Sequence, residues 1–374
     1  MSAHQIFHGK QCNMIFQIGK LHKSAFPEKL YDDSLNHQMV MRNMKKSIFV
    51  LLLSLSLFLL FNSSVTTLKA AEKNERLDAA IRLYETGSFQ QAVNLLRQEV
   101  KVSPREPEVR LWLGKAYLKT RDWKAAVNEI EKAVELKPDN AQYHLWLGRA
   151  CGERASHAFV TTAYSMAKRV VKEFQTASTL APKDLDIRFD LLEYYLQAPG
   201  MVGGGRDKAE AEARTIADID PQKGYLARAT IYKKDKQWDK AKAELTKATV
   251  EFPQSADAAT ELAYYLLDRQ DHEGALTWSK KATTLDPQSK NARFITATAA
   301  TLLQCDLDAA TAELQKLAAG PLDYYDPSFE QIHYRLGENH LARGDKAKAK
   351  ESFQSALAYN PEYSRAKEAL DKIK

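Results

Sequence analysis

Cysteine is scarce: three occur in 374 residues, at 12, 151 and 305. Cys151 and Cys305 are too few and too far apart for a disulfide framework. Histidine gives no metal motif either. The five histidines beyond residue 71 are His144, His157, His272, His333 and His340, and none falls in an H-E-x-x-H, H-x-x-E-H or Cys/His spacing. No G-K-[ST] follows the chain's glycine-rich stretch, which excludes a phosphate loop of the Walker type. Long apolar runs are missing apart from one of 14 residues at 48–61, broken by Ser54 and Ser56. A membrane-crossing helix needs roughly 20 apolar residues. Charge of one sign is also lacking. Residues 1–70 hold eight Lys/Arg against three Asp/Glu, so most of the formal +6 lies there and the remainder is near neutral. The rest mixes both signs as a solvated helical surface does, which argues against nucleic acid as a partner.

What is present is a repeat. The ending A-V-E-L-K-P closes at Pro138, and A-S-T-L-A-P, A-T-V-E-F-P, A-T-T-L-D-P and A-L-A-Y-N-P close at Pro182, Pro253, Pro287 and Pro361. Behind these prolines Leu113-Gly114, Tyr117, Ala126 and Ala133 recur as Leu336-Gly337, His340, Ala349 and Ala356. The chain resembles the tetratricopeptide repeat family, whose unit is a helix–turn–helix of 34 residues. Each position has a physical reason. Gly114, Gly148 and Gly337, facing Ala126, Ala241, Ala275 and Ala349, let paired helices approach. Leu113, Tyr117 and Ile130 fill the space between them at one-face spacing. Proline stops the second helix because it lacks an N–H.

The expected fold is an all-α, right-handed solenoid of about eight hairpins with a C-terminal cap. In register, the units span 73–106, 107–140, 141–184, 185–221, 222–255, 256–289, a degenerate 290–329 that lacks the proline, and 330–361. Residues 362–374 form the capping helix, with Ala366, Ala369, Leu370 and Ile373 on its apolar stripe. Upstream, Lys45-Lys46, the 14-residue run and Ala70-Ala71 give residues 44–71 the plan of a secretory signal peptide, or of a signal anchor if uncleaved. Residues 1–43 are expected to be a start-site extension. The expected location is outside the inner membrane, in the periplasm, with inner-membrane anchoring through 44–61 as the alternative.

Two departures from the period are the functional clues. The third unit is ten residues too long, and the stripe Phe159, Ala163, Ala167, Val170 and Phe174 predicts one continuous helix from about Ser156 to Leu180. The fourth carries Pro199, Gly200, Met201, Val202 and the triple glycine Gly203, Gly204, Gly205 before Arg206. This pair is similar to features of exported bacterial tetratricopeptide proteins with an A-P-G-x-x-G-G-G insertion, a likeness that implies no activity. Both insertions fall at interhelix turns, so Phe159, Tyr164, Pro199, the three glycines and Arg206 should share one edge. Gly203–Gly205 beside Arg206 could cradle an anion at a helix N-terminus, which is one alternative function. The leading expectation is a non-catalytic scaffold without metal or cofactor, binding a peptide or protein segment in its concave groove. Leu111, Lys115, Leu118, Gln142, Leu145 and Arg149 would line it, leucines as anchors and cations reading acidic groups. The lysine/asparagine carboxylate clamp implied by resemblance to chaperone-binding members is missing. A third reading is a membrane-anchored accessory subunit of an envelope enzyme or assembly complex.

Overall fold

The computed structural model describes residues 75–373 and the isolated positions 41, 42, 44, 45 and 47. Apart from those five positions, the expected extension and signal segment lie outside the described residues. The chain divides into Met1–Glu72 and Lys73–Lys374. The second unit is all-helical, with seventeen helices and no strand among its described residues. Among the described residues no helix is long and apolar enough to cross a membrane.

The helices pair into eight antiparallel hairpins. The first joins α1 (75–85) to α2 (Phe89–Val102), the second α3 (Pro107–Lys119) to α4 (Trp123–Leu136), and the third α5 (Ala141–Ser156) to α6 (Val160–Leu180). The fourth is α7 (Leu185–Gln197) with α8 (Arg206–Ile219), the fifth α9 (Pro221–Lys234) with α10 (Trp238–Glu251), and the sixth α11 (Ala256–Asp268) with α12 (His272–Leu285). Then come α13 (Lys290–Leu302) with α14 (Leu307–Ala319), and α15 (Phe329–Ala342) with α16 (Lys346–Tyr359). The last helix, α17 (Ser364–Ile373), packs its Ala369, Leu370 and Ile373 on the core of the eighth hairpin.

Local signals explain these boundaries. Shortly after four of the unit-closing prolines stands a side-chain N-cap. Asn140 accepts from the N–H groups of Gln142 and Tyr143, Asp184 from those of Asp186 and Ile187, and Ser255 and Ser289 from those of Ala258 and Ala292. Within hairpins the turn is one residue in the left-handed region. Gly87, Arg121, Lys236, Gln270, Gln304 and Gly344 hold that place in six of the eight. The other two carry the insertions: the third lacks such a residue, and in the fourth Gly203 takes the left-handed region inside a longer loop. The close approach expected at the glycines is real. A Cβ on Gly114 would lie 2.2 Å from Ile130 Cγ1, and one on Gly337 2.4 Å from Phe353 Cε1.

A clamp that the apolar pattern did not reveal recurs on the first helices. Arg110 donates to the Pro104 carbonyl (2.9 Å) and to Glu129 (2.6 Å), and Arg188 to the Pro182 carbonyl (2.9 Å) and to Glu212 (3.0 Å). His144 occupies the equivalent place, 2.7 Å from Glu173 and 2.9 Å from the Pro138 carbonyl. These groups tie the second, third and fourth hairpins to the chain entering them and leave His144 a structural residue.

The third hairpin corrects one expectation. Residues 156–180 are not a single helix: α5 ends at Ser156 and α6 starts at Val160. The extra length is shared, with 16 and 21 residues in α5 and α6 against 13 and 14 in α3 and α4. At 1.5 Å per residue the longer α6 projects by about 10 Å beyond the α4 length.

Candidate functional site

The array bends until its end meets its beginning. Arg121, in the turn of the second hairpin, donates to Asn360 Oδ1 at 2.7 Å and pairs with Glu362. Phe89 packs edge-on against Phe329 and Tyr359, with ring centroids 5.9 and 6.1 Å away. Between α14 and α15, residues 320–328 cross the concave side as a strap. The Leu322 N–H donates to the Glu85 carbonyl (2.9 Å), and the Leu322 side chain is buried. Pro321 and Pro327 bracket this stretch and keep it from coiling into helix.

Beneath the strap lies an aromatic–cation cluster built by the first three hairpins. Trp112 and Trp146 stand 34 residues apart at the same register of α3 and α5. The Lys115 ammonium sits 3.6 Å from the centroid of Trp112, 4.4 Å from Trp146 and 5.6 Å from Tyr84. Burial, with the Arg149 charge adding to it, pulls the Lys115 pKa down to about 8. The Arg149 guanidinium lies 4.1 Å from the ring of Tyr324 and 4.9 Å from that of Trp146. It donates to Asp190 (2.6 Å) and to the Tyr325 hydroxyl. Burial works against its charge, but the Asp190 carboxylate keeps its pKa raised. The Tyr324 ring meets Trp146 edge-on at 5.0 Å. The strap's outer side is tied by Asp326 to Lys290 (2.7 Å) and by the Asn291 amide to the Tyr325 carbonyl (3.0 Å). Alongside is a cavity of about 430 Å³, lined by Lys119, Trp123, Glu153, His157, Asp323 and Glu330 among others.

The expected groove residues divide against this geometry. Lys115, Leu118 and Arg149 face the concave side, Leu118 on the cavity wall. Leu145 is fully buried and Leu111 is 8% exposed, both in the core between repeats, which corrects their assignment as peptide anchors. Gln142 bonds Asp184 (3.0 Å) at the entry to α7. Arg149 does not await a partner's acid, since Asp190 and the strap already hold it. The apolar surface comes instead from Trp112, Trp146, Tyr324 and Tyr325. The 34-residue tryptophan spacing and the Tyr-Tyr pair in the degenerate unit were the signals available in the sequence.

The two insertions do meet. Val171 of α6 faces Gly203, and the Tyr194 hydroxyl lies 2.7 Å from the carbonyls of both Ala167 and Val202. They do not form an anion cradle. The N–H groups of Gly203, Gly204 and Gly205 already donate to the carbonyls of Gly200, Pro199 and Tyr195, and Arg206 pairs with Glu210 and Asp235. Gly204 is a packing glycine, since a Cβ there would lie 1.7 Å from the Ala198 oxygen. Pro199 precedes the 3-10 turn Gly200–Val202. At the tip of α6, Phe159 is 91% exposed rather than packed in a stripe, and Tyr164 lies under the Lys168 ammonium at 4.5 Å. Burial pushes the Cys151 thiol up to about 12, which suits a packing group.

Three tetratricopeptide-repeat family profiles match the chain, at residues 83–149, 226–290 and 330–363. A search of curated proteins finds no match. Among solved structures, yeast Tom70 is similar with a TM-score of 0.52 and 16% identity, over 98% of this chain and 78% of that one. The Cut9–Hcn1 hetero-tetramer of APC/C gives 0.43 and 15%, over 80% of this chain and 55% of that one. A thermophilic repeat protein of Thermus thermophilus gives 0.38 and 19%, over 62% and 99%. At these identities the likeness to Tom70 concerns the fold alone.

Proposed function

The chain carries tetratricopeptide repeats, which generally scaffold contacts between proteins and are generally non-catalytic; from that premise we propose a non-catalytic scaffold that holds a segment of a partner protein against the concave face of its first three hairpins. One observation carries the reading: that face already holds a non-helical segment, residues 320–328, turned at Tyr324–Tyr325, through a backbone hydrogen bond, aromatic edges and a buried guanidinium. Peptides are recognised in this way, by main-chain bonds for affinity and side-chain pockets for specificity. The signal-like plan of residues 44–71 favours work in the bacterial envelope, in the periplasm after cleavage. The bonded N–H groups of Gly203–Gly205 weigh against an anion-binding role for the insertions.

A photo-crosslinking residue at Leu118 on the cavity wall, and another at the exposed Lys124 on α4, test the face in the native host. A partner captured from position 118 and not from 124 is the expected result. Equal capture from both, or none from 118, overturns the reading. N-terminal sequencing should find the mature chain starting near Ala71 in a soluble exported fraction. Met44 retained in washed membranes would instead support the anchored accessory subunit.

A further inference from the structure

The strap and its seat differ in how firmly each is held. On the seat, Trp112 and Trp146 belong to helices packed between neighbouring hairpins, and Arg149 is fixed by the buried-side bond to Asp190. The strap's two rings are about half exposed, Tyr324 at 44% and Tyr325 at 50%. It is held by the Arg149 bond to the Tyr325 hydroxyl, by the buried Leu322 side chain and its one backbone bond, by Asn291, and by Lys290 to Asp326 and, at 3.9 Å, Asp323. The seat's helices pack between hairpins apart from the strap, whereas the strap's own bonds are confined to the Asp323–Asp326 turn. That is the relation of a site to a ligand supplied in cis.

We infer that residues 320–328 act as a built-in competitor, and that the segment which replaces them is a peptide carrying two adjacent aromatic residues in a turn flanked by carboxylates. The chemistry follows from what the strap presents. Tyr324 supplies an edge to Trp146 and a face to Arg149, and Tyr325 supplies a hydroxyl acceptor to the same guanidinium. Asp323 precedes the pair and Asp326 follows it, and the field of Asp323 reaches the boxed Lys115 ammonium. A buried guanidinium and a half-buried ammonium against indole rings select for aromatic faces and for negative charge together. This rests on the concave face being the binding face, as proposed above. It adds the partner's chemistry and the step of displacement.

The strap is tethered at both ends, so it competes at an effective concentration on the order of millimolar. A site free in only a tenth of molecules binds about tenfold more weakly than the free site would. The test uses a fluorescein-labelled synthetic peptide of residues 320–328, followed by anisotropy with the purified protein. Tyr324→Ala/Tyr325→Ala and, separately, Lys290→Ala should loosen the strap and tighten binding of the labelled peptide, by about tenfold for the double variant. Adding Arg149→Ala to either background should remove that gain. A peptide with both tyrosines replaced by alanine should fail to bind. Lys290→Ala touches the strap only through its aspartates and keeps the test decisive if the double variant loses its helical circular dichroism. Binding no tighter than wild type in both backgrounds, or equal binding of the tyrosine-free peptide, overturns the inference. If the peptide fails while crosslinks from position 118 persist, the competitor falls and the scaffold reading stands. If neither is seen, both fall.

Discussion

Two glycines one turn apart on α5 give opposite expectations for the same substitution. At Gly148 an added Cβ would sit 2.4 Å from Phe174 Cε1 and 2.5 Å from Cδ1; at Gly152 the nearest atom is Val170 Cγ2 at 3.9 Å. Alanine gains about 1 kcal/mol over glycine in a helix interior wherever nothing opposes it. Gly152→Ala should therefore stabilise by up to about 1 kcal/mol. At Gly148 the opposing atoms belong to a buried ring, and Phe174 is 5% exposed with its neighbours packed around it. It must move by roughly an ångström to reach ordinary contact, an overpacking that costs about 1–3 kcal/mol. The propensity gain offsets only part of this, so Gly148→Ala should be neutral to about 2 kcal/mol destabilising. The two variants should differ by about 1–3 kcal/mol, a few degrees in Tm for a domain of this size. Urea denaturation followed by circular dichroism at 222 nm reads the difference directly. Gly148→Ala as stable as Gly152→Ala would refute the claim that α5 and α6 touch through that glycine.

Asn339→Leu should cost about 1–3 kcal/mol, since the fully buried amide joins the Thr301 and Thr311 hydroxyls (3.0 and 2.5 Å) and leucine removes both bonds, leaving those hydroxyls only their bonds to the Ala297 and Leu307 carbonyls and to Arg343. The exposed Asn94→Ala should stay within about 0.5 kcal/mol in the same urea titration, and equal losses at the two sites would refute the network's importance. Lys115 should make stability depend on alkaline pH. Its folded pKa of about 8, lowered chiefly by burial, is below the ordinary 10.5, so the unfolded chain binds the proton more tightly and stability from this group rises with pH between those values. Wild type measured against Lys115→Met should therefore gain between pH 7.5 and 9.5, and a constant or falling difference refutes the burial of that charge.

The fold was legible because its rules are local. Leu113-Gly114, Ala126, Ala133 and the closing Pro138 each satisfy a constraint within one hairpin, and repetition separates them from chance. The break at residues 157–159 was not legible. Ser156, His157 and Ala158 include no proline or glycine, and the apolar stripe from Phe159 runs on as if the helix began earlier. The site was legible only in outline. Counting positions along α3 and α5 found Lys115 and Arg149, but it could not tell a groove residue from one facing the next hairpin, and so it took Leu145 for an anchor. Tyr324 and Tyr325 were hidden by their apparent irregularity. A segment that breaks the period carries no register, and the cluster it covers on the first three hairpins lies more than 170 residues away in the chain.

Because Arg121 reaches Asn360 and Glu362 across some 240 residues, the array has a fixed length. An open solenoid can gain or lose a repeat by duplication or deletion, since each hairpin answers only to its neighbours. In this chain an added hairpin would rotate Phe329 and Tyr359 past Phe89, and a lost one would leave them short of it. Sequence divergence within each unit remains tolerable, while a change in the number of units does not. Natural variants of this fold should therefore differ in the sizes of their insertions rather than in their count of hairpins.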